Sequence, residues 1–493
     1  MKEQSKLSKV LSILLSVVLV ISSFYLLYQV IRLNVLPSKF LFPLTIGVVV
    51  LDAIFILLLI YFSKNVVSKI VCIALTLFIC VASCMGGYYI SKTQNVLSSI
   101  TNVAKHAKNT VSVVVKESSS IKNKSQLNGV SVGSLRLNEQ GSKKALKELS
   151  SEGIVLNQKE YDSMTALLEA FYNGEVDSII INESSRSQIL DMEAYSNFDS
   201  NTRVVYQTFY KVKNNDSATS VSDITSKPFN VLISGSDTRG GFDENGRSDV
   251  IMIATVNPKT HTILLTSVPR DFYVTTACDA GDGCMQGALD KITHTGIHGT
   301  NTTKRTVEQL LGIEINYTFK VGFDTVIELV DVLGGVDVYV EPGYAVHTTA
   351  LNVNEGVNHL YGEEALEYAR ERYAYTEGDR QRTKNQQQVL MGIVKEVTKP
   401  SVITNYAAIM DTIANTFSTT MSNEEITDLI KYQLNNNPTW KMEQYMVDGT
   451  GDTLMCAELG DAASVMVPDQ STVKMAKDKI NAVLAGKSSE DVK

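Results

Sequence analysis

Three long apolar stretches open this chain, and they constrain it more than anything that follows. Val10 to Ile31 carries no charge, Phe40 to Ser63 carries only Asp52, and Ile70 to Ser91 carries none. A hydrocarbon core about 30 Å thick is crossed by roughly 20 helical residues rising about 1.5 Å each, so each stretch is long enough to span. A cleaved signal peptide has a shorter apolar region and no second and third span behind it. Residues 1–104 are therefore expected to form a membrane anchor, with spans over about 10–31, 40–63 and 70–91. Asp52 is costly inside a span, and a hydrogen-bonded place at a helix contact is its expected role.

Lys2, Lys6 and Lys9 precede the first span, and Lys64 and Lys69 separate the second from the third, whereas the loop between the first two holds Arg32 and Lys39. The positive-inside rule then puts the N-terminus in the cytoplasm, and an odd number of spans puts everything after Lys92 outside. A net charge of −8 gives no basic footprint for nucleic acid. Cys278 and Cys284 flank an acidic, glycine-containing loop, which suits a short-range disulfide in an oxidising compartment. Cys456 is left over.

The outer part reads as two α/β units joined by a linker. Residues 105–213 alternate strand and helix: Val111–Val115 and Val176–Ile181 as apolar strands, with helical spacing over Ser142–Leu149 and Tyr161–Asn173, the latter stopped by Gly174. The polar stretch across residues 214–226 reads as the linker. Residues 227–484 read as a mixed α/β layered domain. It has strands at Phe229–Ile233, Val250–Val256 and Ile263–Val268, a helix capped by Thr302 and ending near Gly312, and a helix over Phe323–Leu333 closed by Gly334 and Gly335. Two more helical stretches cover Glu363–Arg372 and Asn385–Val397, the first expected to end near Ala369. The segments from Phe417 onward are expected to finish the same layer, with residues 485–493 frayed.

This second unit gathers arginines at the ends of its elements: Arg239, Arg247, Arg270, Arg370, Arg372 and Arg382, with Asp237, Asp249 and Asp379 nearby. Guanidinium forks match phosphate oxygens bidentately, and a carboxylate pair can hold a divalent metal against the same oxygens. Arg382 and Gln386 are four apart and share a face if helical. The pattern points to a phosphoryl-handling site. His294 and His298 have an i, i+4 spacing, but glycines within the segment and the missing HExxH glutamate set zinc aside. His294 is expected to support the pocket.

The segments that carry this pattern resemble the LytR-CpsA-Psr family, in particular its three-span streptococcal capsule members. They are the turn Gly235–Asp237, Arg247–Ser248–Asp249, Pro269–Arg270–Asp271, Asp290–Lys291 with His294, the pair Arg370 and Arg372, and Gly378–Asp379 with Arg382 followed by Gln386–Gln387. They occur in the family's order over about residues 227–397. Where the family often has an arginine before the glutamine pair, this chain has Asn385, with Arg380 and Lys384 as nearby cations to compensate.

The resemblance implies a phosphotransferase that moves capsular polysaccharide from an undecaprenyl pyrophosphate carrier onto peptidoglycan as a phosphodiester. Its implied partners are the carrier-linked glycan, peptidoglycan, membrane lipid and capsule assembly proteins. Asp237 and Asp249 would hold magnesium. Arg247, Arg270, Arg370, Arg372, Arg382, Gln386 and Lys291 would bind the pyrophosphate, and Asp271 is the candidate base. The apolar strands and the Phe323–Leu333 helix would line a slot for the prenyl chain. A membrane regulator or sensor of capsule synthesis without turnover is the alternative. Direct DNA binding does not fit it, because the residues before the first span and in the second inner loop are too few for a helix-turn-helix.

Overall fold

The computed structural model describes residues 6–62, 65–101, 106–136, 139–236, 244–279, 284–399, 401–414 and 417–492. Contacts divide the chain into two compact units.

The first unit is built on three helices long and apolar enough to cross a membrane: α1 (Lys6–Leu33), α2 (Ser38–Leu57), which continues through a π-helical turn to Phe62, and α3 (Val66–Thr101). At 36 residues α3 is about 54 Å long, well beyond one membrane thickness. Ser23 of α1 donates to a carboxylate oxygen of Asp52 on α2 at 2.9 Å, so the in-span acid is a satisfied helix contact.

The second unit begins with a five-stranded sheet in the order β3-β2-β4-β1-β5. In sequence order its elements are β1 (His106–Lys116), β2 (Ser131–Leu135), α4 (Glu139–Ser151), β3 (Asn157–Tyr161), α5 (Met164–Asn173), β4 (Ser178–Asn182), α6 (Arg186–Asp191), the short α7 (Phe198–Asn201) and β5 (Thr202–Lys213). Period-2 alternation splits the strand residues between two cores. Ile179 and Ile181 pack with Leu167 and Phe171 of α5, while Ile180 packs with Ala145 and Leu149 of α4. The α5 helix begins later than its apolar spacing predicts. Ser163 accepts from Ala166 N–H and sets the start, while Tyr161 belongs to the polar edge strand before it.

The larger sheet has six strands in the order β16-β11-β6-β7-β8-β17. It starts with β6 (Phe229–Ser236), β7 (Ser248–Asn257) and β8 (Thr262–Ser267), all antiparallel neighbours. The small pair β9 (Tyr273–Thr275) and β10 (Leu289–Lys291), α8 (Thr300–Leu311), β11 (Tyr317–Gly322) and α9 (Phe323–Leu333) follow. Then come β12 (Val336–Val340), β13 (Val346–His347), β14 (Asn352–Val353), β15 (Gly356–Leu360), α10 (Gly362–Arg370) and α11 (Asp379–Val397). The core sets Leu232, Ile253 and Leu264 of the sheet against Val307 and Leu311 of α8 and against Ile480 and Val483. Each such side chain is worth about 1.5–3 kcal/mol when buried. The α8 helix starts at Thr300, ahead of the expected cap at Thr302, because the chain turns at Gly299, whose φ is 106°.

Beyond α11 the chain does not simply complete this layer. The helices α12 (Val402–Ile413) and α13 (Asn423–Asn436) belong to the membrane unit, where Asp411 pairs with Lys92 at 2.6 Å and Asn423 accepts from Thr101. Amphipathic spacing reports that a face is buried, not which partner buries it. The strands β16 (Phe417–Thr419) and β17 (Lys441–Met446) return as the two edges of the six-stranded sheet. The hairpin β18 (Gly449–Cys456) and β19 (Asp461–Pro468) and the helix α14 (Gln470–Leu484) end the fold.

The described C-terminal residues, through Val492, are tied down where fraying was expected. Glu443, buried on β17, accepts from Ser488 Oγ at 2.7 Å, Ser489 N–H at 2.8 Å and Lys441 Nζ at 2.8 Å. Burial alone would raise this carboxyl, but these donors outweigh it and hold its pKa at about 2. A depressed carboxylate pKa contributes stability above the unfolded value, ordinarily about 4.3. That contribution is lost as pH falls through about 2. Wild type should melt well above Glu443→Gln at pH 7, and the gap should narrow as melting curves are taken toward pH 3.

Candidate functional site

Most of the site side chains expected from sequence meet at one end of the strands of the six-stranded sheet. Because β6, β8 and β11 run toward that end and β7 starts from it, the segments after β8 and at the start of β7 are neighbours. Open α/β sheets commonly bind ligands at the carboxyl ends of their strands. Arg247 immediately precedes β7, Asp249 is its second residue, and Arg270 lies three residues past the end of β8. Opposite them, α10 ends at Arg370, with Arg372 in the following non-helical residues, and the first turns of α11 carry Arg382 and Gln386 on one face.

A cavity of about 570 Å³ is lined by Arg247, Asp249, Arg270, Arg370, Arg372, Arg382 and Gln386 together. Arg270 donates to Asp249 at 3.0 Å, and Arg247 approaches the same carboxylate at 3.6 Å. Burial opposes ionisation of Asp249, but Arg247 and Arg270 prevail and hold its pKa below the usual carboxylate range. Asp379 pairs with Arg382 at 3.2 Å and with Arg372 at 3.5 Å. Burial, and then the neighbouring Arg270, depress the Arg382 guanidinium from its ordinary value. Among the described residues the exposed Arg370 has no carboxylate partner and stacks on Phe323 at 5.1 Å, while the buried Nε atoms of Arg270, 3.8 Å from Asp271, and of Arg382 make no hydrogen bond. Buried cationic donors of this kind suit an anion with many oxygens.

An adjoining cavity of about 260 Å³ shares Arg247, Arg270 and Arg372 and adds Asp271, Lys291 and His294. Lys291 pairs with Asp271 at 3.2 Å. Burial would raise Asp271, but Lys291 and Arg270 outweigh it and lower its pKa, which makes it a weak proton acceptor. His294 is bonded through Nδ1 to Asp290 at 2.7 Å and His298 through Nε2 to Glu458 at 2.9 Å. Among the described residues no cluster of three or more His, Cys, Asp or Glu side chains is arranged to hold a metal. Cys278 and Cys284 are joined by a disulfide, and Cys456 is buried and free. Asp237 and Arg239 lie outside the described residues.

Asn385 is not a phosphate contact. It is fully buried and donates to Tyr368 O and Tyr375 Oη. Arg380 pairs with Asp448 at 2.8 Å and Lys384 sits over the Tyr344 ring, so neither lines the main cavity. Gln387 binds Ser267 and Tyr445 O and ties α11 to the ends of β8 and β17. Sequence reading missed Glu367, Glu371 and Tyr373 on the cavity wall, and also Ser187, Leu190 and Asp191 of α6. The first three sit beside Arg370 and Arg372 and were findable from that spacing, whereas nothing in the sequence links α6 to the arginines.

Gly296 packs under the start of β7. A Cβ there would lie 2.5 Å from Gly246 O and from Ser248 N and Oγ. Overpacking costs about 1–3 kcal/mol, and a 1 Å displacement of a site can cost about 10²-fold in rate. Gly296→Ala should therefore lower both the melting temperature and turnover, measured on the same preparation.

A profile of the LytR_cpsA_psr family matches residues 194–482, more than half of the chain. The chain belongs to the LytR-CpsA-Psr family. Among its relatives in this family is the Bacillus cereus polyisoprenyl-teichoic acid–peptidoglycan teichoic acid transferase TagU, 31% identical over 245 residues, which are 48% of this chain and 75% of that protein. The Bacillus subtilis TagU is 32% identical over 226 residues, 46% of this chain and 70% of that protein. A crystal structure of a Streptococcus agalactiae protein overlaps 55% of this chain and 92% of its own at 25% identity, with a TM-score of 0.47. The residues placed around the cavity all fall within the matched LytR-CpsA-Psr region except those of α6.

Proposed function

We propose that this protein is a membrane-anchored phosphotransferase that moves a glycan from an undecaprenyl pyrophosphate carrier onto peptidoglycan. The observation that carries this reading is the convergence of Arg247, Arg270, Arg370, Arg372 and Arg382 with Asp249 on one cavity. The names of the TagU relatives support the same class of carrier and acceptor. The catalytic domain lies outside the membrane and the N-terminus in the cytoplasm, which brings the site to a lipid-carried donor. The three-span resemblance favours capsular polysaccharide as the glycan, with capsule assembly proteins as neighbours.

In this reading the acceptor hydroxyl attacks the phosphorus next to the glycan and releases its proton. The bond to the bridging oxygen breaks, and prenyl monophosphate departs. Arg270 and Arg382, whose buried Nε atoms make no hydrogen bond among the described residues, bind phosphate oxygens. Arg247, Arg370 and Arg372 neutralise the leaving phosphate from the cavity wall. Gln386 adds a neutral donor one turn from Arg382. Lys291 holds Asp271 ionised and adds positive charge to the lining of the adjoining cavity.

Asp249 presents a carboxylate to the cavity, the kind of ligand magnesium takes beside substrate phosphate and waters. Magnesium held by Asp249 together with Asp237 would neutralise charge on the pyrophosphate. The test is the linkage itself. Product made by the full-length protein in detergent, with carrier-linked glycan, peptidoglycan and magnesium, should carry one phosphorus per joined glycan as a phosphodiester. A glycan joined without phosphorus would exclude this mechanism.

A further inference from the structure

The accessory domain, to which sequence assigned no ligand, reaches into the cavity just described. Leu190 and Asp191 at the end of α6 line it, and Asp191 also lines the adjoining cavity, so this one carboxylate stands at their junction. It forms an ion pair with Arg247 at 2.5 Å. The two partners differ in exposure: the Arg247 side chain is 8% exposed and the Asp191 side chain 51%. The arginine is thus the buried partner of the pair and the acid the exposed one.

The α6 helix is itself held in place. Arg186 in its first turn binds Glu183 through two nitrogens, at 2.6 and 2.8 Å, and Asp199 at 3.0 Å. The accessory domain is fastened to the catalytic domain at two further points. Met164 and Thr165 donate to Leu459 O and Asp461, and Lys108 pairs with Glu244 at 3.2 Å. Asp191 is therefore presented to the site by a braced wall.

Carboxylate and phosphate oxygens engage a guanidinium through the same fork. Resting on the pyrophosphate reading of the cavity, we propose that Asp191 is a positioning residue of the donor site, holding Arg247 through their ion pair and yielding it to the incoming pyrophosphate. The accessory domain thereby forms part of the donor site and sets how tightly the donor binds. An ion pair with one half-exposed partner is worth up to about 1 kcal/mol, or about fivefold in affinity.

The test is equilibrium binding of inorganic pyrophosphate to the full-length protein in detergent, with melting curves to confirm folding. Asp191→Asn should bind about fivefold tighter than wild type, and Asp191→Glu should stay close to wild type. In an Arg247→Ala background the Asn substitution should have no effect, since the coupling runs through that pair. Equal or weaker binding by Asp191→Asn overturns the inference, as does a tightening that persists without Arg247. If wild type binds pyrophosphate and Asp191→Asn matches it, only this inference falls. If wild type does not bind pyrophosphate, the reading of the cavity falls and takes the inference with it.

Discussion

Arg270→Ala should lower glycan transfer by about 10²–10³-fold, the loss typical when one preorganised donor to developing charge is removed. Arg270 follows β8 at the end where β7 begins, bonds Asp249, and among the described residues keeps a buried Nε without a hydrogen bond. Alanine removes those donors and also leaves the Asp249 carboxylate with less compensation. A melting curve separates that structural cost from the kinetic one. Arg270→Lys retains the charge but not the fork. It should recover stability while remaining at least about tenfold slow, as expected for losing one charged hydrogen bond.

Asp249→Asn should give the opposite split between binding and turnover. The amide keeps the shape of the carboxylate but frees Arg247 and Arg270 from the negative charge that now holds them. Pyrophosphate should bind at least as tightly as to wild type. Transfer should nonetheless fall by about 10³-fold, the upper range for removing an electrostatic stabiliser at the reacting group. Binding of pyrophosphate without magnesium, beside transfer with magnesium, reads the two effects separately. Parallel loss of both would mean that Asp249 only organises the arginines.

Most of the site was legible because its residues lie in short segments at the ends of strands and helices. Arg247 with Asp249, and Arg270 with Asp271, flank strands whose apolar runs were plain, and antiparallel pairing of those strands brings the two segments together. Arg382 and Gln386 came from helical spacing, and the end of α10 at Arg370 lies one residue beyond the expected stop. What escaped had no local signal. Asp191 meets Arg247 across 56 positions and two domains. The edge strand β3 is polar along its length, so no alternation marked it. The helices α12 and α13 were assigned to the larger domain by their position in the chain alone, but they belong with the three N-terminal helices.

The most direct measurement follows undecaprenyl phosphate released by the full-length protein given a carrier-linked glycan and magnesium, with and without peptidoglycan. Release that depends on the acceptor, accompanied by glycan joined to peptidoglycan and lost in Arg270→Ala and Asp249→Asn, is the predicted result. Donor bound by the cavity with no acceptor-dependent release, under conditions where a TagU relative turns over, would contradict the transferase account and favour a sensor or regulator of capsule synthesis.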